Sequence, residues 1–117
     1  MKYCYPIIKQ IIPLTRKKGV VYAYFDKKTG QENIWIEEII AFGLIEDMMG
    51  NDELFTYVAP LVDDLGDGSY DIANPRQRIG VVEVEDNGLF PSEGEIRLRF
   101  DEELKAEREK QRKEDTK

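Results

Sequence analysis

Carboxylates and glycines alternate in residues 63–71, the part of the chain whose residue types most invite chemistry. The segment holds four aspartates: Asp63, Asp64, Asp67 and Asp71. Calcium takes about six to eight oxygen ligands from a flexible backbone, and such a segment could supply several of them. The EF-hand spacing is absent, however, because its third position would hold Leu65 and its twelfth Asn74. We therefore expect no metal site, and interpret the segment as a solvated turn whose aspartates accept backbone hydrogen bonds.

Two adjacent carboxylate pairs, Glu37–Glu38 and Glu46–Asp47, could in principle perform acid–base chemistry, as in glycoside hydrolysis. Neighbouring residues of a strand point to opposite faces, so neither pair would converge on one substrate atom. The chain has no histidine and one cysteine, Cys4, which removes the usual general base and the commonest metal ligands. The sequence therefore predicts no catalytic residues and no cofactor, and it favours a non-enzymatic function.

Aromatic side chains around Trp35 could form a stacking surface for nucleic-acid bases. Basic residues flank this region of the chain: Arg16, Lys17, Lys18, Lys27 and Lys28. Aromatic residues in adjacent strands more often form a core, and a net charge of −7 opposes phosphate binding. Nucleic-acid contact through these residues is therefore an alternative, and nucleic acid is not the partner we expect.

The apolar patterning predicts a mainly β fold. The first 46 residues read as a β-meander, in which Val20–Phe25 and Asn33–Ile36 form a hairpin closed by Gly30. Two prolines in Tyr3–Leu14 place that strand at a sheet edge. Further strands are predicted over residues 53–62, 80–85 and 95–100, with a long acidic loop over 63–75. Residues 37–49 are ambiguous: strand is favoured, and a helix on the stripe Ile36, Ile40, Leu44 and Met48 is the alternative.

These elements predict one antiparallel β domain over residues 1–100, with five or six strands in a small barrel or a strongly twisted sheet. A helix over residues 37–49 would make the class α+β instead. Residues 101–117 form a charged tail whose only apolar side chains are Leu104 and Ala106. We expect this tail to be a solvated helix that frays toward a disordered end.

Charge is divided sharply along the sequence. From Thr29 to Pro75 there are eleven acidic residues and no Lys or Arg, whereas residues 1–28 hold seven Lys or Arg and one acid. Such blocks concern partners and long-range fields. The sequence therefore predicts a small interaction module that presents an acidic surface to a protein partner. The expected contact residues are Asp63, Asp64, Asp67, Asp71, Glu46 and Asp47.

Three further expectations accompany this one. The carboxylates could imitate a phosphate backbone and inhibit a nucleic-acid-binding enzyme, as small acidic proteins of phage or mobile elements do. An unpaired strand edge at the N-terminus could recruit a second copy of the chain. No apolar stretch reaches the ~20 residues of a membrane helix, so we expect no membrane partner and a reducing, cytoplasmic setting in a bacterium or phage host.

Overall fold

The computed structural model describes residues 5–63 and 65–115, and contains seven strands and two helices. Their bounds are β1 Ile7–Ile12, β2 Lys18–Phe25, β3 Glu32–Ile39, β4 Ala41–Met48, β5 Leu54–Val62, β6 Asp71–Ile72, β7 Arg78–Glu83, α1 Glu93–Arg99 and α2 Asp101–Asp115. The strands form two sheets, with orders β1-β4-β5-β6 and β3-β2-β7. The chain divides into two compact units: unit 1, Met1–Thr15 and Ile39–Ala73, and unit 2, Arg16–Glu38 and Asn74–Lys117.

The prediction of a mainly β, antiparallel fold with a charged C-terminal helix is confirmed. The strands do not form the single sheet of five or six strands that the sequence suggested, and those described close no barrel. The helical alternative for residues 37–49 is wrong, because β3 and β4 cover that segment. Its isoleucines are β-branched, which favours strands, and Gly43 disfavours a helix.

Unit 1 is built on the β4–β5 hairpin, which pairs Ala41 with Leu61 and continues to Met48 opposite Leu54. Strand β1 adds on the far side of β4, with a register shift between Ile8 and Gln10. Four buried side chains on one face form the core of this unit: Ala41, Ile45, Ala59 and Leu61. The short strand β6 pairs with the end of β5, inside the segment predicted to be a long loop.

Unit 2 is organised around β2, whose residues Gly19 to Ala23 are all buried. The predicted β2–β3 hairpin closes through Gly30, whose N–H donates to Asp26 O at 2.8 Å and whose φ of +73° suits glycine. Strand β7 occupies the other side of β2. The predicted meander is therefore wrong at its first step: β2 has no side left for β1, which pairs with β4 instead.

The predicted strand over residues 95–100 is wrong, because residues 95–99 lie in helix α1 and Phe100 is its C-cap. Helix α1 begins after Ser92, whose Oγ accepts a hydrogen bond from Glu95 N–H at 3.3 Å. The alternation of Ile96, Leu98 and Phe100 that suggested a strand does not match the burial, since Ile96 is buried and Leu98 is 77% exposed. The serine followed three residues later by glutamate is an N-terminal capping pattern that the alternation concealed.

Helix α2 is docked, contrary to the prediction of a solvated tail. Leu104 is buried in the core cluster of unit 2, together with Val21, Ile79 and Ile96. Farther along the helix, the Gln111 side chain donates to Ala23 O and accepts from Phe25 N–H, both at 3.0 Å. This amide extends the pairing of β2 beyond the point where Gln77 O accepts from Ala23 N–H. Among the described residues, no helix is long and apolar enough to cross a bilayer.

Close approach of Gly80 to an aromatic ring gives a first test of this packing. A Cβ at Gly80 would lie 3.1 Å from Phe100 Cδ1 and Cζ, and closer still to Cε1. We expect Gly80→Ala to lower the free energy of unfolding by about 1–3 kcal/mol, because the ring must move from a packed site. Urea denaturation followed by circular dichroism measures the change.

Gly94→Ala is the matched control, since the nearest atom to its Cβ would be Ser92 Oγ at 4.0 Å. This glycine lies within α1, where alanine is the better helix former, so the free energy of unfolding should stay unchanged or rise by up to about 1 kcal/mol. Equal losses in both variants would contradict the packing described for Gly80.

Candidate interaction surface

The charge blocks of the sequence correspond to the two units only in part. Unit 1 contains eight acidic residues and two lysines, a net charge of −6. Unit 2 contains sixteen acidic and fifteen basic residues, a net charge of −1. Because two lysines can pair with at most two carboxylates, most of the negative charge of unit 1 is uncompensated within that unit. The excess charge of the protein therefore lies almost entirely in unit 1.

Unit 2 compensates its own charges through ion pairs. Glu32 accepts from Arg97 Nη1 at 2.7 Å, and from Arg108 Nε at 3.0 Å and Nη2 at 2.6 Å. The Arg97 hydrogen bond, followed by that of Arg108, holds the pKa of Glu32 below its usual range, although burial acts in the opposite direction. Arg108 also lies over the Phe25 ring, 5.1 Å from its centroid. Glu32, one of the eleven acids between Thr29 and Pro75, therefore holds α1 and α2 to β3.

The residues predicted as an alternative nucleic-acid contact all lie in unit 2, where they form two groups. Arg16 and Lys18 both pair with Glu83, and Lys17 Nζ lies 3.3 Å from Glu38 Oε1. The hydrogen bond from Lys18 is the largest cause that lowers the pKa of Glu83, and the positive charges of Lys18 and Arg16 act in the same direction. These cations meet carboxylates of their own unit, which reduces the positive field available to a phosphate backbone.

The other predicted members of that set lie on the β2–β3 hairpin. Lys27 and Lys28 are exposed in its turn, where Asp26 Oδ1 accepts from Lys28 N–H at 2.9 Å. Trp35 is 42% exposed and stacks on Tyr22 with ring centroids 5.4 Å apart. Since Tyr22 is buried, one face of the indole is covered by the protein and the aromatic pair forms no open platform of several rings.

The predicted acidic contact residues fall into two groups in unit 1. Glu46 and Asp47 lie near the turn of the β4–β5 hairpin, opposite Thr56 and Phe55, whereas Asp71 pairs with Val62 at the other end of β5. Val62 comes six positions after Thr56, which corresponds to roughly 20 Å at ~3.3 Å per residue. The structure does not bring the two groups together.

The loop that follows β5 uses its carboxylates for its own turns. Asp63 Oδ1 accepts from Asp67 N–H at 3.2 Å, and Asp63 Oδ2 accepts from Gly68 N–H at 2.9 Å. Asp67 Oδ1 in turn accepts from Ser69 N–H at 3.0 Å, and hydrogen bonds from Ser69 lower the pKa of Asp67. Asp64 and Cys4, also singled out from the sequence, lie outside the described residues. Within residues 5–63 and 65–115 no group of three or more potential metal ligands occurs.

An apolar surface adjoins the first acidic group. We call residues 46–58 the arm: the distal halves of β4 and β5 with their turn. Its exposed apolar side chains are Met48, Met49, Leu54, Phe55 and Val58. Leu54 and Val58 are 52% and 59% exposed, and the Phe55 ring stacks on Tyr57 at 5.8 Å. The arm therefore combines exposed apolar side chains on both faces of the hairpin with Glu46, Asp47, Asp52 and Glu53, and its own residues include no Lys or Arg.

Sequence reasoning missed the apolar members of the arm. It interpreted residues 53–62 as another apolar strand, which implied that the strand belongs to the core. A signal was present, because Leu54, Phe55 and Val58 lie on both faces of the strand in a segment bordered by acids. A strand that is apolar on both faces needs a cover on each, and the described fold leaves this part exposed.

Unit 2 contains a polar cleft of about 330 Å³ between α2 and the end of β2. Glu107, Lys110, Glu114 and Arg76 contribute charges of both signs to its walls. Glu107 is buried, and its Oε2 accepts from Gln111 Nε2 at 2.6 Å. Gln111 also bonds to the β2 backbone, so this carboxylate positions the amide that anchors α2. We assign the cleft a structural role.

Comparison of the chain with protein-family models, with curated proteins and with solved structures gives no match.

The Glu32 ion pairs give a pH-dependent test of unit 2. Because the pKa of Glu32 is lower in the folded protein than in the unfolded chain, its ionised form stabilises the fold at pH values above the unfolded-state pKa of about 4. This contribution is lost as the pH falls through the folded-state pKa. We expect Glu32→Gln to lower the free energy of unfolding by about 1–2 kcal/mol at neutral pH, discounted because both arginines are partly exposed. Urea denaturation at neutral pH and near pH 3 should show the difference from wild type shrinking at the lower pH.

Glu109→Gln serves as the control, because Glu109 is an exposed carboxylate paired with Arg112 on the same helix. We expect no measurable change in its unfolding midpoint at either pH. A Glu32→Gln effect that is the same at both pH values would show that charge on Glu32 is not the cause.

Proposed function

We propose that this protein is a non-enzymatic interaction module and that the arm of unit 1 binds a protein partner. The observation that carries this proposal is the set of exposed apolar side chains of the arm, bordered by carboxylates, with no Lys or Arg in residues 46–58 and Lys9 of β1 as the one described cation paired with them, 4.0 Å from Glu46. Exposed apolar surface rimmed by polar groups is typical of protein–protein contact sites. We place the contact on this arm, with Glu46 and Asp47 in it.

The two kinds of residue have different roles in such a contact. Burial of Leu54, Phe55 and Val58 against a partner would supply most of the free energy, at roughly 25 cal/mol per Å² of apolar surface. The carboxylates would speed association with a basic partner and reject acidic ones, because rim charges act mainly on encounter and specificity. The partner should therefore have an apolar patch bordered by Lys or Arg.

The other predicted functions receive less support from the geometry. Imitation of a phosphate backbone calls for carboxylates in rows, and those of unit 1 form two groups roughly 20 Å apart along β5. Nucleic-acid binding through Arg16, Lys17 and Lys18 would compete with their ion pairs. A cytoplasmic setting, expected because no apolar stretch reaches membrane length, is compatible with either a protein or a nucleic-acid partner.

Neutralisation of the arm tests the proposal. Asp52 and Glu53 are exposed in its turn, and Asp52 has a φ of +66°, which asparagine also tolerates. In affinity capture from the native host, we expect the double variant Asp52→Asn, Glu53→Gln to retain about threefold to tenfold less of the captured partner than wild type. Quantitative mass spectrometry of the co-purifying proteins provides the measurement.

Glu102→Gln with Glu103→Gln is the matched control, because it removes the same charge from exposed positions in the first turn of α2. This variant should capture the partner as well as wild type does. Equal capture by the arm variant and wild type, or an equal loss in the control, would reject the arm as the binding surface.

A further inference from the structure

Strand β5 has an unpaired edge along most of its length. On one side it pairs with β4 from Leu54 to Leu61. On the other side β6 pairs only with Leu61 and Val62, and Ala73 N–H donates to Pro60 O at 2.9 Å. Among the residues that the structure describes, no strand pairs with this second side from Leu54 to Ala59. A sheet edge of this kind is a template for one more strand.

The hydrogen bonds of Pro60 identify the outward groups. In a strand, alternate residues direct their N–H and C=O to the same side. Since Pro60 O points toward β6, the N–H and C=O groups of Val58, Thr56 and Leu54 also point to that side. Proline has no N–H, so Pro60 ends the row of donors where β6 begins. The open edge therefore offers donors and acceptors at three alternate residues.

The surroundings of this edge define the chemistry of an occupant. Leu54 and Val58 flank it on one face, and Phe55 and Tyr57 on the other. Asp52 and Glu53 precede it, and the loop with Asp63 and Asp67 follows it, so both of its ends are negative. The edge spans roughly 20 Å, about six residues of extended chain.

We propose that the partner contributes an extended segment, apolar in the middle and basic at both ends, which adds to β5 as a new strand. This inference rests on the proposed function and specifies how the arm binds. Main-chain hydrogen bonds to Leu54, Thr56 and Val58 fix the added strand, and its side chains cover the apolar surface. Lys or Arg at its two ends meet the carboxylates on either side of the edge.

A second copy of the chain is a poorer occupant of the same edge. Two β5 strands that pair antiparallel would place Asp52 and Glu53 of one copy beside the Asp63 loop of the other. Like charges would meet at both ends of such a dimer, which costs free energy. A basic segment removes this repulsion.

Thr56→Pro tests the added strand. The substitution removes the Thr56 N–H, which points away from β4. The N–H groups of β5 that pair with β4 belong to the alternate residues and are kept. The probe is a fluorescein-labelled peptide with lysines at both ends and alternating valine and threonine between them, followed by fluorescence polarisation. We expect wild type to bind it, Thr56→Pro to bind at least about tenfold more weakly, and Thr56→Val, which keeps the N–H and the β-branched shape, to bind like wild type.

Two modified peptides test the added strand on the wild-type protein, so the result does not depend on whether Thr56→Pro folds. N-methylation of two adjacent central residues blocks both edges of the peptide, and we expect it to abolish binding. Exchange of the lysines for glutamates should do the same through repulsion. Binding that survives either modification would overturn the proposal, as would absence of binding by the lysine peptide.

The native partner separates failure of this inference from failure of the proposed function. If Asp52→Asn, Glu53→Gln reduces its capture but Thr56→Pro does not, the arm binds without an added strand. If neither variant reduces capture, the proposed function itself fails. Sedimentation equilibrium that shows a wild-type dimer, lost on Thr56→Pro, would assign the edge to a second copy and overturn the basic-segment proposal.

Discussion

Every backbone N–H and C=O group of a buried strand needs a partner, and in unit 2 this requirement falls on β2. Its residues from Gly19 to Ala23 are buried, with β3 on one side and β7 on the other. Beyond the end of its pairing with β7, the side-chain amide of Gln111 takes the place of a neighbouring strand: it donates to Ala23 O and accepts from Phe25 N–H. The docking of a highly charged helix follows from this need.

The two units differ in how their charges are compensated. Helices α1 and α2 are rich in both acids and bases. Arg97 and Arg108 of these helices pair with Glu32 of β3, and Arg99 pairs with Glu85, so cations and carboxylates of unit 2 meet. The described residues of unit 1 form no helix, and the unit has two lysines. The core of unit 1 is the apolar face of Ile45 and Leu61. Asp63 and Asp67 accept hydrogen bonds from their own loop, and Lys9 lies 4.0 Å from Glu46, so the excess negative charge of the unit faces solvent.

Local patterns predicted the local structure well. The β2–β3 hairpin could be read from Val20–Phe25 and Gly30, because strand propensity and turn chemistry act over a few residues. Pairing of β1 with β4 could not, since it joins residues far apart in sequence and depends on β2 having both sides occupied. Helix α1 was predicted as a strand because alternation and a single helical face both fit Ile96 and Phe100, and only the Ser92 cap distinguishes them.

The sequence indicates the acidic charge of the candidate site but not its apolar side chains. The predicted contact comprises the Asp63–Asp71 loop together with Glu46 and Asp47, and in the structure Asp63 and Asp67 accept hydrogen bonds from the backbone of that loop. The apolar arm was missed because composition does not reveal which apolar strand lacks a cover. Leu54 and Leu61 belong to the same strand, and only the fold makes the first exposed and the second buried.

The two edges of the unit 1 sheet have opposite capacities for growth. Strand β1 has the register shift after Ile8, an exposed Lys9 and flanking prolines at positions 6 and 13. In natural sheets these features disfavour the pairing of another strand with an edge. Strand β5 has none of these from Leu54 to Ala59. Addition of a strand at β5, as proposed, would then give a complex of fixed size, because the β1 edge disfavours a second addition. Repeated head-to-tail addition, which would lead to fibres, would not follow.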